Sequence, residues 1–245
     1  MAGSAPDSYG PDRGELDAQT AVIPYERAEA LVQDHKVFAV SNCICRQEMD
    51  ILGEGCDKPL ESCLMFGMSA DHGIRTGRSR AISREEALSL LHQAEEAGLV
   101  LQPANAKDVA FICMCCGCCC GVLRSLKRHP HPASIASSPF RASLNVDTCT
   151  GCGVCETRCQ MGAISLDNGY AVLDLTRCIG CGLCITTCPA ESLSLVRKPD
   201  EEQPYVPRNI IDTSIRLGQA RGMLGMLELM GMQLKSRWDR LLAPR

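Results

Sequence analysis

The sequence predicts an α+β protein: a small cysteine-rich α/β module, then a duplicated cysteine-bearing domain, then a C-terminal helix. Three observations lead there. The chain carries 18 cysteines among 245 residues, near the density of folds held by disulfides or metals. In the first half, short apolar runs of strand length alternate with helix-patterned segments. In the second half, "CTGCGVCETRCQ" from Cys149 is repeated as "CIGCGLCITTCP" from Cys178.

Composition narrows the classes of function. The chain has one Trp, four Tyr and four Phe, so large rings contribute little to its core. Metal binding is an alternative source of stability, because its free energy becomes folding free energy. The opening "MAGSAPDSYGPDRGELDAQT" has neither a basic start nor an apolar stretch, so it does not read as a secretory signal. A cytoplasmic, reducing location is expected, where disulfides are rare and thiols serve as ligands. The net charge of −4 argues against general nucleic-acid affinity. No apolar run reaches the roughly eighteen residues of a membrane span.

Residues 1–20 are polar, acidic and Gly/Pro-bearing, and read as a disordered lead. The cysteine-rich module follows over 21–127. A short helix begins at Pro24, since proline suits a first helical turn, with Ala28, Leu31 and Val32 on its apolar side. "VFAV" (37–40) reads as a buried strand running into "SNCICR". Ser83 and Glu86 form an S-x-x-E capping box for a helix over 83–97. Its apolar residues Ala87, Leu88, Leu91 and Ala94 recur at helical spacing, and Gly98 ends it. "LVL" (99–101) and "VAFI" (109–112) read as strands. A helix followed by two strands also suits a winged-helix front, the basis of a redox-sensing regulator as one alternative function. The acidic residues Glu85, Glu86, Glu95 and Glu96 around Arg84 speak against DNA. Residues 128–141 read as a Pro/Ser-rich linker, in which His129 and His131 are surface residues, as are His72 and His92.

The duplicated domain spans 142–197. Each copy is C-x2-C-x2-C-x3-C, and all four cysteines recur at an offset of 29 residues. A [4Fe–4S] cubane needs four thiolates at tetrahedral corners. Three closely spaced cysteines wrap one cluster, and the fourth, read as beginning a short helix, reaches the neighbouring cluster. Glycines 151, 153, 180 and 182 leave room for backbone N–H groups to approach sulfur. The assignment is Cys149, Cys152, Cys155 and Cys188 for one cluster, and Cys178, Cys181, Cys184 and Cys159 for the other. Zinc also takes four cysteines, but its ribbons use two pairs rather than a triplet and a distant fourth. After each motif, "GAISL" (162–166) and "AESLSL" (190–195) end in strand-like alternation.

These motifs resemble a bacterial-type dicluster ferredoxin, and the domain is similar to that ferredoxin-like pair of hairpins and helices around two clusters. The resemblance implies single-electron transfer. Gln160 stands where the first motif of that family has proline, whereas Pro189 is present in the second. The whole chain is similar to larger iron–sulfur proteins of anaerobic bacteria that join a cysteine-rich front to a ferredoxin.

The front module adds ten cysteines: Cys43, Cys45, Cys56 and Cys63, then Cys113, Cys115, Cys116, Cys118, Cys119 and Cys120 in "ICMCCGCCCG". They offer one or two further metal sites. "CICR" with Cys56 and Cys63 suits one complete site, and the six-cysteine run a second. In an extended chain Cys116, Cys118 and Cys120 share one face, unless Gly117 turns it. Iron–sulfur is favoured over zinc because the neighbouring domain gives it a redox use; a reactive dithiol is a third reading. "CCG" (115–117) is similar to the cysteine-rich modules of heterodisulfide reductases, but their long cysteine intervals are missing and no residues carry over. Arg46 either offsets cluster charge or is solvated.

Residues 198–245 form the tail, read from 208 as one long Met-rich helix interrupted by glycines. It is expected to dock on the front module; a partner protein or a membrane surface would also suit it. The expected function is an electron carrier serving a partner protein or larger oxidoreductase. The alternative is an enzyme subunit whose front module binds substrate at an unusual cluster.

Overall fold

The computed structural model describes residues 23, 25–203 and 205–220, with isolated positions 231, 235 and 238 beyond. The acidic lead and most of the Met-rich tail therefore lie outside the described residues. Two cysteine-bearing regions of mixed helix and strand are packed together.

The front region is a five-stranded antiparallel sheet with strands β1 (Phe38–Asn42), β2 (Glu61–Phe66), β3 (Arg80–Ile82), β4 (Val100–Pro103) and β5 (Phe111–Cys115). The strand order is β3-β1-β2-β5-β4. Helices α1 (Tyr25–Asp34) and α4 (Arg84–Glu96) pack against each other. Alternation along each strand separates the faces. Leu64 and Phe66 on β2 and Ile112 and Met114 on β5 enter the apolar core with Val32, Leu91 and Leu101. Cys63 and Met65, and Cys113 and Cys115, point the other way. The register aligns Ser41 with Cys63, Cys63 with Cys113, and Cys113 with Gln102. One row across four strands thus carries two thiols flanked by two polar side chains.

Helix α4 begins as its sequence foretells, with Ser83 Oγ accepting from the Glu86 N–H at 3.1 Å. The return half of the capping box is replaced, because the Glu86 carboxylate pairs with Arg80 instead. Strands β4 and β5 complete the sheet rather than projecting as a wing, which removes the winged-helix expectation. The reading also missed β2, β3 and three helices: α2 (Ile44–Ile51), α3 (Gly67–Arg75) and α5 (Gly121–Arg128). Cys43 and Cys120 occupy the N-cap positions of α2 and α5.

The expected linker is packed, not free. It contains α6 (Pro132–Ile135), whose Ala133 N–H donates to the Thr176 carbonyl. Ser138 is fully buried.

The duplicated region has β6 (Phe140–Leu144), α7 (Val154–Arg158), β7 (Ile164–Asp167), β8 (Tyr170–Leu173) and β9 (Leu193–Arg197). Strand β6 pairs with β9 and β7 with β8, so each strand pair repeats the other at the sequence offset of 29. The close contacts repeat as well. A Cβ on Gly151 would lie 1.9 Å from the Gly169 carbonyl oxygen, and one on Gly180 would lie 2.1 Å from that of Phe140, both at positive φ. Only glycine fits at these two turns.

The two regions share a core. Met161, Ile179 and Leu183 from the duplicated region pack with the front residues Cys116, Cys119 and Leu123. Arg158 donates to the Glu95 and Glu96 carbonyls at the C-terminus of α4, where a cation suits the helix dipole. Gln160 accepts from the Gly117 N–H at 2.9 Å and donates to the Gly98 carbonyl at 2.8 Å. Proline, lacking that side chain, could make neither bond. The tail returns to the front region: the Lys107 and Asp108 N–H groups donate to the Pro207 and Arg208 carbonyls. On α8 (Ile210–Ala220), Thr213 Oγ1 donates to the Asn105 carbonyl. Among the described residues no helix is long and apolar enough to cross a membrane.

Two consequences can be measured. Gly180→Ala is expected to yield protein with strongly reduced iron content. Gly162→Ala also has positive φ but open space around its Cβ, and should retain iron while losing about 1–2 kcal/mol. Gln160→Ala removes two interdomain hydrogen bonds and should lower stability by about 1–3 kcal/mol, read as a fall in thermal midpoint with cluster absorbance intact.

Candidate metal centres

In the duplicated region the eight cysteines line two pockets. Cys149, Cys152, Cys155 and Cys188 surround one, with Gly151, Gly153 and Ala171. Cys159, Cys178, Cys181 and Cys184 surround the other, with Gly180 and Gly182. Each pocket therefore takes three cysteines from one motif and the last cysteine of the other. Cys155 lies within α7 and Cys159 caps its C-terminus. In the first motif the fourth cysteine thus ends the helix instead of beginning it.

Backbone donors repeat around these sulfurs. The Ala163 N–H reaches Cys159 Sγ at 3.1 Å, and the Ser192 N–H reaches Cys188 Sγ at 3.3 Å. Ala171 donates to Cys149 at 3.5 Å and Ala142 to Cys178 at 3.4 Å. These bonds favour thiolate over thiol. At Cys188 burial opposes ionisation, but the N–H groups of Ser192, Ala190 and Leu193 outweigh it and lower the pKa. At Cys181 burial wins, and the thiol is pushed up to about 12, with the Cys159 and Cys178 charges adding to it. Cys184 is raised by burial and by Cys181, Cys178 and Cys159. Several thiolates so close together require a cation. Four sulfur donors, a glycine cradle without Cβ atoms and N–H groups aimed at sulfur fit an iron–sulfur cluster in each pocket.

The front thiols regroup relative to the sequence reading. Cys56 does not join "CICR" and Cys63. The loop between α2 and β2 carries it to Cys116, Cys118 and Cys119, and the four sulfurs all lie within 4.8 Å of one another. The run is not extended: β5 ends at Cys115, a turn occupies 117–119, and α5 starts at Gly121. Cys116, Cys118 and Cys120 therefore do not share a face. Cys113 and Cys115 share the sheet face with Cys63, and Cys43, Cys45 and Cys120 complete a second group. These six line an open cavity of about 990 Å³ that also meets Gln102, Arg78 and Arg80.

Four of these thiols, Cys63, Cys113, Cys115 and Cys120, share hydrogen bonds in a row. Cys113 is pulled down to about 4 because Cys115 and Cys63 donate to it. Cys115 is raised by the same bond to Cys113, then by its bond to Cys120 and by burial. Cys120 falls to about 6, first because Cys115 donates to it and further through the Leu123 and Val122 N–H groups at the start of α5, against burial. Gln102 Nε2 donates to the same sulfur at 3.4 Å. Along this row Cys113 and Cys120 favour the thiolate and Cys63 and Cys115 the thiol, an arrangement that metal cations would replace.

Arg46 is not solvated. It is 3% exposed, and its guanidinium donates to the Met114 carbonyl at 2.8 Å and to the Pro59 carbonyl and Ser62 Oγ. Burial alone would depress its pKa, but the charges of Cys116, Cys43 and Cys56 raise it instead. It therefore stands between the two thiol groups as a fixed positive charge. His72 and His92 are exposed, and His92 lies 3.6 Å from the Glu29 carboxylate; neither histidine of the 128–141 segment lines a thiol site.

The sequence reading had no signal for Gln160 as a docking residue beyond its departure from the ferredoxin pattern. Gln102 and Ser62 carry no motif at all, and only the strand register brings them to the thiols and Arg46.

No curated protein matches the chain. Residues 148–192 match the family model of the 4Fe–4S dicluster domain. The second half of this chain thus contains a 4Fe–4S dicluster domain, a module of iron–sulfur electron transfer.

Proposed function

We propose that the protein is an iron–sulfur electron carrier that passes single electrons through two [4Fe–4S] clusters to or from a partner oxidoreductase. The observation that carries this reading is the exchange of last cysteines between the two pockets. Cys149, Cys152, Cys155 and Cys188 are assigned to one cluster, and Cys178, Cys181, Cys184 and Cys159 to the other. Each cluster, when bound, takes up and gives back one electron.

The chain's own residues supply position and bias. Crossing of Cys159 and Cys188 fixes the two sites side by side. The N–H groups of Ala142, Ala163, Ala171 and Ser192 favour added negative charge at sulfur. The ends differ. Cys152 is exposed, and the pocket it lines also meets Val154 and Leu166, both partly exposed. This apolar rim suits a docking protein. The opposite pocket lies under the front module, held there by Gln160 and Arg158. The exchange port is therefore assigned to the Cys152 end.

The six-thiol chamber favours a second reading, an enzyme subunit whose front module holds an unusual cluster open to substrate. Its specific support is the cavity reaching Cys43, Cys45, Cys63, Cys113, Cys115 and Cys120.

Potentiometric titration followed by electron paramagnetic resonance tests the carrier. Cys152→Ser and Cys188→Ser should alter one reduction step, and Cys181→Ser and Cys159→Ser the other. If Cys159→Ser and Cys152→Ser move the same step, the crossed assignment fails; anaerobic protein without iron and sulfide ends the carrier reading. For the enzyme reading, adding small redox-active substrates should change a signal that Cys45→Ser removes. A signal indifferent to every substrate leaves the carrier alone.

A further inference from the structure

Ten front-module thiols have been divided by the fold into two groups that differ in kind. One is an open arrangement of six. The other is a closed quartet: Cys56 from the loop before β2, and Cys116, Cys118 and Cys119 from the turn after β5.

The spacing of that quartet is informative. Cys56 Sγ lies 3.5 Å from Cys119 Sγ and 3.9 Å from Cys116 Sγ, and Cys118 and Cys119 are 3.8 Å apart. Four sulfurs bound at ~2.3 Å to one tetrahedral ion are ~3.8 Å apart. The dicluster quartets provide a comparison within the same chain. Among the described residues, Cys56, Cys116, Cys118 and Cys119 form the one group of metal-binding side chains drawn within 4.8 Å of one another. Neither dicluster quartet meets that limit, in keeping with the larger body of a cubane. The front quartet is drawn in to the size of a single atom.

Its surroundings agree. Cys116 and Cys119 have the C-x2-C spacing of half a tetrathiolate site, and the Cys119 N–H points back at Cys116 sulfur. Four thiolates around a divalent ion leave a net charge of about −2. The Arg46 guanidinium next to Cys116 and Cys56 offsets part of it, and its Nε is buried with no hydrogen-bond partner. The turn is further held by the Gly117 N–H bond to Gln160. Cys116 and Cys119 are buried and Cys118 is exposed, so a metal ion has a path in.

We propose that Cys56, Cys116, Cys118 and Cys119 bind one tetrahedral divalent ion of the zinc or ferrous class, without inorganic sulfide. The ion pins the loop before β2 to the turn after β5 and so closes one end of the front sheet, beside the segment that docks the dicluster domain. It is distinct from both clusters of the carrier reading and does not depend on them.

The test is elemental analysis of the full chain prepared anaerobically, with zinc, iron and acid-labile sulfide measured on the same sample. Wild-type protein should contain at least one more metal ion than sulfide per chain, because cubanes hold iron and sulfide in equal number. Cys118→Ser, at the exposed ligand, and Cys56→Ser, on a separate loop, should each lose about one zinc or one iron. Sulfide and the dicluster resonance signals should be unchanged. Loss of iron and sulfide together in either variant, or metal equal to sulfide in the wild type, overturns the proposal. Retention of all metal in both variants overturns it too. Because the wild-type ratio needs no substitution, variants that fail to fold leave the test intact.

Discussion

Crowded sulfur of like charge is the constraint on which this structure depends. Eighteen thiols lie in four clusters, and none of the clusters can ionise fully without compensation. The dicluster domain meets this need with 4Fe–4S clusters, and the chain adds backbone N–H groups aimed at sulfur and one buried arginine. The hydrophobic core is correspondingly modest in rings. It is made from Leu, Ile, Val, Met and cysteine itself, with Phe38 and Phe66 as its large aromatic members.

The duplicated region solves the problem twice by the same means. The donors Ala142 and Ala171, the turns at Gly151 and Gly180, and the strand pairs all recur at one offset in the chain. Symmetry of that kind explains why the same carbonyl contact excludes alanine at both turns. It also explains why Gln160 stands out: the pattern breaks where one half must hold a second domain. Glutamine at this position gives a donor to the Gly98 carbonyl and an acceptor to the Gly117 N–H, and proline offers neither.

Much of this was legible in the sequence because it is local. The cysteine triplets, the Ser83 cap and the apolar period of α4 are written within a few residues, and the structure has those elements. The helix end at Cys159 was misjudged because spacing gives ligand order without backbone direction. The front module was harder. Which of ten thiols share a site is decided by the pairing of β2 with β5 and by the turn at Gly117, contacts between residues far apart in the chain. Cys56 moved to the other group because its loop crosses over Arg46, whose partners Ser62 and Met114 are visible only once the sheet is formed. Strand β2 was missed for a related reason: "ESCLMF" alternates, but its cysteine and methionine occupy what a simple pattern assigns to polar positions.

The tail's return to residues 105–108 has a geometric effect. The dicluster domain is inserted between two segments of one scaffold, anchored where it leaves, where it returns, and again at Gln160. A domain tethered at three points does not swing like an arm. Any traffic between the front chamber and the exposed rim must then run at fixed separation, governed by driving force and intervening atoms, with solvent viscosity having no hold on its rate.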